Sequence, residues 1–148
     1  MRLEHLRWVF FLLSFGLLLA LCVPFFGNPL FFDDQYFFLA GAPEKFLVDG
    51  VHLSTRWWVY QTLAATFVFF DADIRWLRLG NLLAHMITAV VLYSLVRRLL
   101  LDLDKKANLG LSADVAAFLV AALFAVHPLA IFSQGYLIQR TIVCASLF

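Results

Sequence analysis

Residues 77–96 read "LRLGNLLAHMITAVVLYSLV", with Arg78 the only charged side chain before Arg97 and Arg98 close the run. As a helix rising ~1.5 Å per residue, twenty residues reach ~30 Å, the thickness of a bilayer's hydrocarbon core. The rest of the chain is of the same kind. Of its 148 residues, 64% are hydrophobic and 14% charged, whereas a soluble domain is about half apolar and about a quarter charged. A chain of this size cannot hide so much apolar side chain inside itself, so the expectation is an all-α integral membrane protein embedded in a lipid bilayer. Seventeen Phe and four Trp suit lipid contact. The net charge of +1, with no basic run, argues against a nucleic-acid partner.

Two further runs predict crossings. Trp8 to Phe26, "WVFFLLSFGLLLALCVPFF", follows "MRLEHLR" and ends among Pro24, Gly27 and Pro29; no A-x-A cleavage site follows it, which favours an uncleaved first helix over a signal peptide. Ala113 to Ile131 is the next, and Tyr136 to Phe148 opens a fourth, giving about four transmembrane helices. Thirteen residues cover only about 20 Å, so the expectation is one transmembrane domain over 1–148, the N-terminal part of a longer polytopic protein. Cys22 and Cys144 lie in apolar stretches and read as buried thiols.

Trp57 to Phe70 is too short to cross comfortably, and charge decides its place. Arg2, Arg7, Arg97, Arg98, Lys105 and Lys106 share the cytoplasmic side only if an even number of spans separates Arg7 from Arg97. The helices at 8–26 and 77–96 already make two. The segment 57–70 is therefore expected along the outer interface, with Trp57, Trp58 and Tyr60 at headgroup level. The N-terminus is then cytoplasmic, 27–76 a large outer loop of short interfacial helices, and 97–112 a cytoplasmic loop.

That outer loop carries "FFDDQYFF", residues 31–38. Two adjacent carboxylates repel, and one of them can hold its proton more tightly. Asp33 and Asp34 can thus serve a general base, or help hold a divalent cation such as Mg or Mn. The plainer alternative makes Asp34 the N-cap of "QYFFLAG". In the next helix Arg78, Asn81, His85 and Thr88 share one face. Such polar groups line a cavity, or they glue helices together. Further on, "FAVHPLAIF" and "YLIQR" place His127 and Arg140 near the outer face. There Arg140 can clamp a phosphate with His127 assisting; alternatively it snorkels to headgroups and His127 merely precedes a helix-ending proline. No P-loop, dinucleotide fingerprint, CxxC or HExxH is present.

In their order and spacing these segments resemble the N-terminal part of the GT-C membrane glycosyltransferases, the protein O-mannosyltransferases and the TMTC-like group. "FFDDQYFF" is similar to the acidic pair of their first outer loop, "RLGNLLAHMITAVVLYSLVRRLL" to the helix after it, and "AAFLVAALFAVHPLAIFSQGYLIQR" to the following hairpin. The resemblance implies transfer of a sugar, with inversion, from a polyprenyl-phosphate donor to an acceptor protein or glycan outside the cytoplasm. It implies Asp34 or Asp33 as the catalytic acid/base, with Asp34 preferred, and Arg140 with His127 on the phosphate side. Full-length members have many more spans, and no tetratricopeptide repeat is present here. The active face is expected in the periplasm of a bacterial inner membrane, or in the lumen of the endoplasmic reticulum. A transporter or flippase-like protein and a structural membrane subunit are the rival expectations.

Overall fold

The computed structural model describes residues 2–48, 56–107, 112–128 and 135–146. All regular structure among them is helical. Helix α1 (Arg2–Cys22) runs into a 3-10 turn (Val23–Phe25), followed by α2 (Asp33–Leu39), α3 (Ala42–Val48), α4 (Trp57–Phe69), α5 (Ile74–Ala107) and α6 (Ala113–Val126). A second 3-10 turn (Leu137–Gln139) leads directly into α7 (Arg140–Ala145).

Helices α1, α5 and α6 pack side by side. Their directions follow from who meets whom. His85 of α5 meets Ala125 of α6, and Tyr93 and Arg97 meet Asp114, so α6 runs antiparallel to α5. Phe11 of α1 lies 5.1 Å from the Tyr93 ring, whereas Leu18 and Cys22 pack with Leu82 and Met86, so α1 is antiparallel to α5 as well. One end of this layer gathers the start of α1, the later half of α5 and the start of α6. It is clasped by Asp114, which accepts from Arg97 Nε at 2.7 Å and from the Tyr93 hydroxyl at 2.9 Å. The other end, here the head end, carries α2, α3, α4 and α7.

Side-chain size sorts by direction on α6. Ala113, Ala117, Ala121 and Ala125 recur every fourth residue, are buried, and let α6 lie close against α5. Many large residues point away: Leu119 and Leu123 of α6, Leu12 and Leu13 of α1, and Leu83, Ile87, Val91 and Leu95 of α5 are all exposed, while Leu18, Leu82 and Met86 fill the core.

Helix α5 is longer than expected. It starts at Asp73, whose Oδ1 accepts from the Arg75 N–H at 2.9 Å as an N-cap, and it continues to Ala107. Most of the predicted cytoplasmic loop 97–112 is therefore helix, because "RRLLLDLDKKA" contains good helix formers and no breaker. At 34 residues α5 measures ~51 Å. Over Ile74–Leu103 it alone, among the described residues, is long and apolar enough to cross a membrane by length and composition; the apolar stretches Phe11–Phe25 and Ala113–Val126 are shorter. The predicted third span ends at Val126, and residues 129–131 lie outside the described residues, as do Ser133 and Gln134 of the predicted turn.

The predicted interfacial segment is α4, but its role for Tyr60 needs correcting. The Tyr60 ring lies 5.3 Å from Phe37 and 5.3 Å from Phe46, inside an aromatic cluster that fills the head end. Leu63 and Ala64 of α4 are completely buried beside it. Through these residues the short helix packs on its neighbours, while Trp58, Val68 and Phe69 stay exposed. Its C-terminus closes with Asp71 at φ 50° and the Ala72 N–H donating to the Phe67 carbonyl at 2.8 Å, a Schellman-type end.

Replacing Ala121 by Leu should overpack the α5–α6 seam and cost about 1–3 kcal/mol, whereas Leu123→Ala on the outward face should stay within ~0.5 kcal/mol. Thermal unfolding of the purified protein in detergent measures both.

Candidate functional site

The polar face of α5 is real, and it is buried. Arg78, Asn81 and His85 each bond a backbone carbonyl of a neighbouring segment, and Thr88 one of its own helix. Arg78, 1% exposed, donates through Nη1 to the Phe25 carbonyl and through Nη2 to the carbonyls of Asn28 at 2.8 Å and Pro29 at 3.2 Å. It caps the exit of α1. Asn81 donates through Nδ2 to the Leu137 carbonyl at 3.3 Å. His85 donates through Nε2 to the Ala125 carbonyl at 3.0 Å. Helix α6 ends just beyond it: Pro128 lacks the N–H that would bond the Phe124 carbonyl and turns the preceding residue, His127, to ψ 129°. Thr88 donates to the Ala84 carbonyl one turn back, at 3.0 Å. These bonds match the gluing alternative for Arg78, Asn81 and His85.

Arg140 also departs from expectation. It is buried, not open to an outer pocket. Its Nε donates to Asn81 Oδ1 at 2.6 Å, Nη1 to the Thr62 hydroxyl at 3.2 Å and Nη2 to the Leu77 carbonyl at 2.9 Å. The guanidinium lies flat on α5 at Gly80, where an added Cβ would sit 2.7 Å from Nη2. Three of its five N–H donors tie α4, α5 and α7 together, and the side chain is 5% exposed.

The two aspartates divide. Asp34 is fully buried, and its carboxylate forks over two successive backbone N–H groups: Oδ2 accepts from Leu137 and Oδ1 from Ile138, both at 2.9 Å. These are orphan donors at the start of the turn that becomes α7. Asp34 therefore caps a helix, though not its own: α2 begins at Asp33 with Phe32 as N-cap and no side-chain cap bond. Burial pushes the Asp34 carboxyl above the ordinary carboxylate range; the two N–H donors and Arg78 pull the other way without cancelling it, and neighbouring Asp33 adds to the rise.

Asp33 is exposed, and the Tyr136 hydroxyl donates to its Oδ2 at 2.8 Å. The Tyr136 ring meets the Phe32 ring edge-on at 6.0 Å. Phe32 sits at φ 49°, ψ −127°, a conformation that costs a bulky L-residue energy and is found at strained sites. The turn Tyr136–Ile138 thus holds both aspartates, one by a hydroxyl and one by its backbone. His127, at the C-cap of α6, is exposed at the same head end. Sequence reasoning missed Tyr136, Thr62 and Gly80; only Gly80, a glycine inside an apolar helix, offered a signal for close approach.

Both Asp34 oxygens are committed to backbone N–H groups, and no group of three or more His, Cys, Asp or Glu that could hold a metal occurs among the described residues.

A scan against protein-family models finds no match, and comparisons with curated proteins and with solved structures find none either. The GT-C resemblance rests on the quoted motifs alone.

Asp34→Asn puts an amide where two N–H groups need acceptors, and should cost on the order of 1–3 kcal/mol at neutral pH, against ~0.5 kcal/mol or less for Asp33→Asn. Because folding raises the Asp34 pKa, its contribution is complete below the ordinary Asp value and falls as pH climbs through the raised one. The wild-type advantage over Asp34→Asn should accordingly shrink from pH 4 to pH 8. Urea unfolding of both proteins across that range provides the measurement.

Proposed function

We propose that the chain is an integral membrane protein with a cytoplasmic N-terminus, and that its head end works outside the cytoplasm as part of a glycosyltransferase. The membrane reading is supported by the number of large apolar side chains left outside. On α6 alanines face the α5 seam while Val115, Leu119 and Leu123 face outward, and α1 and α5 turn Leu12, Leu13, Leu83, Ile87, Val91 and Leu95 outward although Leu18, Leu77 and Leu82 are buried. In water such a surface would be a large exposed apolar patch; against lipid tails it is ordinary. The cytoplasmic end then carries Arg97 and Arg98, as a positive-inside orientation requires.

One observation carries the catalytic reading. Of two adjacent carboxylates, Asp34 is buried as a structural cap while Asp33 is exposed and oriented by a tyrosine hydroxyl. The acid/base role, which the resemblance inclined to give Asp34, passes to Asp33. In the proposed reaction a hydroxyl of the acceptor protein or glycan gives its proton to Asp33 as its oxygen bonds to the anomeric carbon. The carbon–oxygen bond to the polyprenyl phosphate breaks, and the phosphate departs with the electron pair from the opposite face, inverting the configuration. His127 is the remaining phosphate-side candidate. Arg140 contributes through the helix junction it ties. No step passes through a metal ion. The transporter reading is weakened, because the polar face it would use as a pathway is occupied by backbone carbonyls.

In a background with Cys22 and Cys144 replaced by Ser, single cysteines at Glu44 and Arg98 should react with an impermeant maleimide from opposite sides of sealed membranes. Labelling from one side rejects the orientation. Asp33→Asn in the complete open reading frame should reduce transfer from polyprenyl-phosphate mannose by about 100-fold or more, the scale of general acid–base catalysis. A wild-type rate removes Asp33 from the chemistry, and no transfer by the wild-type protein favours the transporter or structural-subunit readings.

A further inference from the structure

Tyr136 belongs to a turn that reaches back 103 residues to Asp33. Its hydroxyl occupies Oδ2 at 2.8 Å, which stops the carboxylate from rotating and leaves Oδ1 as its second acceptor. The tyrosine is itself held. Its ring abuts Phe32, and the next two residues are pinned through their N–H groups to the buried Asp34. An exposed carboxylate on a seven-residue helix would otherwise swing freely about χ1 and χ2. We propose that Tyr136 is the positioning residue of the site: it fixes the direction in which Asp33 presents its free oxygen to an acceptor hydroxyl, with Phe32 as its buttress. The strained Phe32 backbone then has a purpose, since it places that ring against Tyr136 rather than in the aromatic cluster of the head end.

This inference rests on the reading of Asp33 given above. A double-mutant cycle separates the two. Tyr136→Phe keeps the ring and removes only the hydroxyl. In complete protein reconstituted with polyprenyl-phosphate mannose, it should lower kcat by about 10-fold or more at unchanged KM, since misorientation raises the barrier without touching donor binding. In an Asp33→Asn background the same substitution should have no further effect on the residual rate, and the melting temperatures of the single variants should lie close to wild type. A tyrosine with a merely structural role would instead lower the melting temperature and act equally in both backgrounds. If Tyr136→Phe unfolds early, Phe32→Ala replaces it, with a smaller kcat loss at unchanged KM expected. Full kcat in Tyr136→Phe, or equal losses in both backgrounds, overturns the inference while leaving Asp33 in place if Asp33→Asn is inactive. A wild-type rate in Asp33→Asn overturns both.

Discussion

Every helix leaves backbone groups open at its ends, and where no water can reach them the protein must close them itself. The architecture follows from that constraint. Three elements stop near one another at the head end: α1 at its proline-containing turn, α6 at Pro128, and α7 at its first residues. The open carbonyls of the first two and the open N–H groups of the third all lie within reach of α5 or α2. Arg78, His85 and Asp34 are the side chains that close them, and Asn81 adds a bond to the Leu137 carbonyl. A polar face on a long apolar helix is thus needed even in a protein that transports nothing, because its neighbours do not run the full length of α5.

The same constraint separates two residues that local sequence makes look alike. Asp33 and Asp34 are adjacent, share an aromatic setting and begin the same helix. The turn Tyr136–Ile138 distinguishes them: its backbone takes one carboxylate inside, and its tyrosine holds the other at the surface. A fully buried carboxylate with two backbone donors makes a rigid anchor but lies out of a substrate's reach. Its exposed neighbour gains direction from that anchor without sharing its burial.

The helical character of 77–96 was plain from hydropathy, and so was the common face of Arg78, Asn81, His85 and Thr88, since both depend on spacing within one segment. The partners of that face were not, because they are backbone carbonyls far along the chain, and any residue can supply a carbonyl. Charge made 97–112 look like a loop, although charged residues with leucines between them form helix readily and α5 runs on to Ala107. Arg140 looked outward-facing by position, but Gly80 gives its guanidinium room against α5. Tyr60 looked like an interfacial anchor, yet the rings of Phe37 and Phe46 pack against it in the head end. In each case the long-range partner decided, and no local pattern encodes it.

The wide separation between Asp34 and the turn that satisfies it has a consequence during synthesis. With 103 residues between the Asp34 carboxylate and the Leu137 amide, and a ribosome adding roughly 5–20 residues per second, the carboxylate waits ~5–20 s for its donors. Throughout that interval the head end of the nascent chain holds an acid that must stay in water or take up a proton. It cannot close until residues 137 and 138 arrive, so the working geometry of the aspartate pair is a late event in the chain's birth.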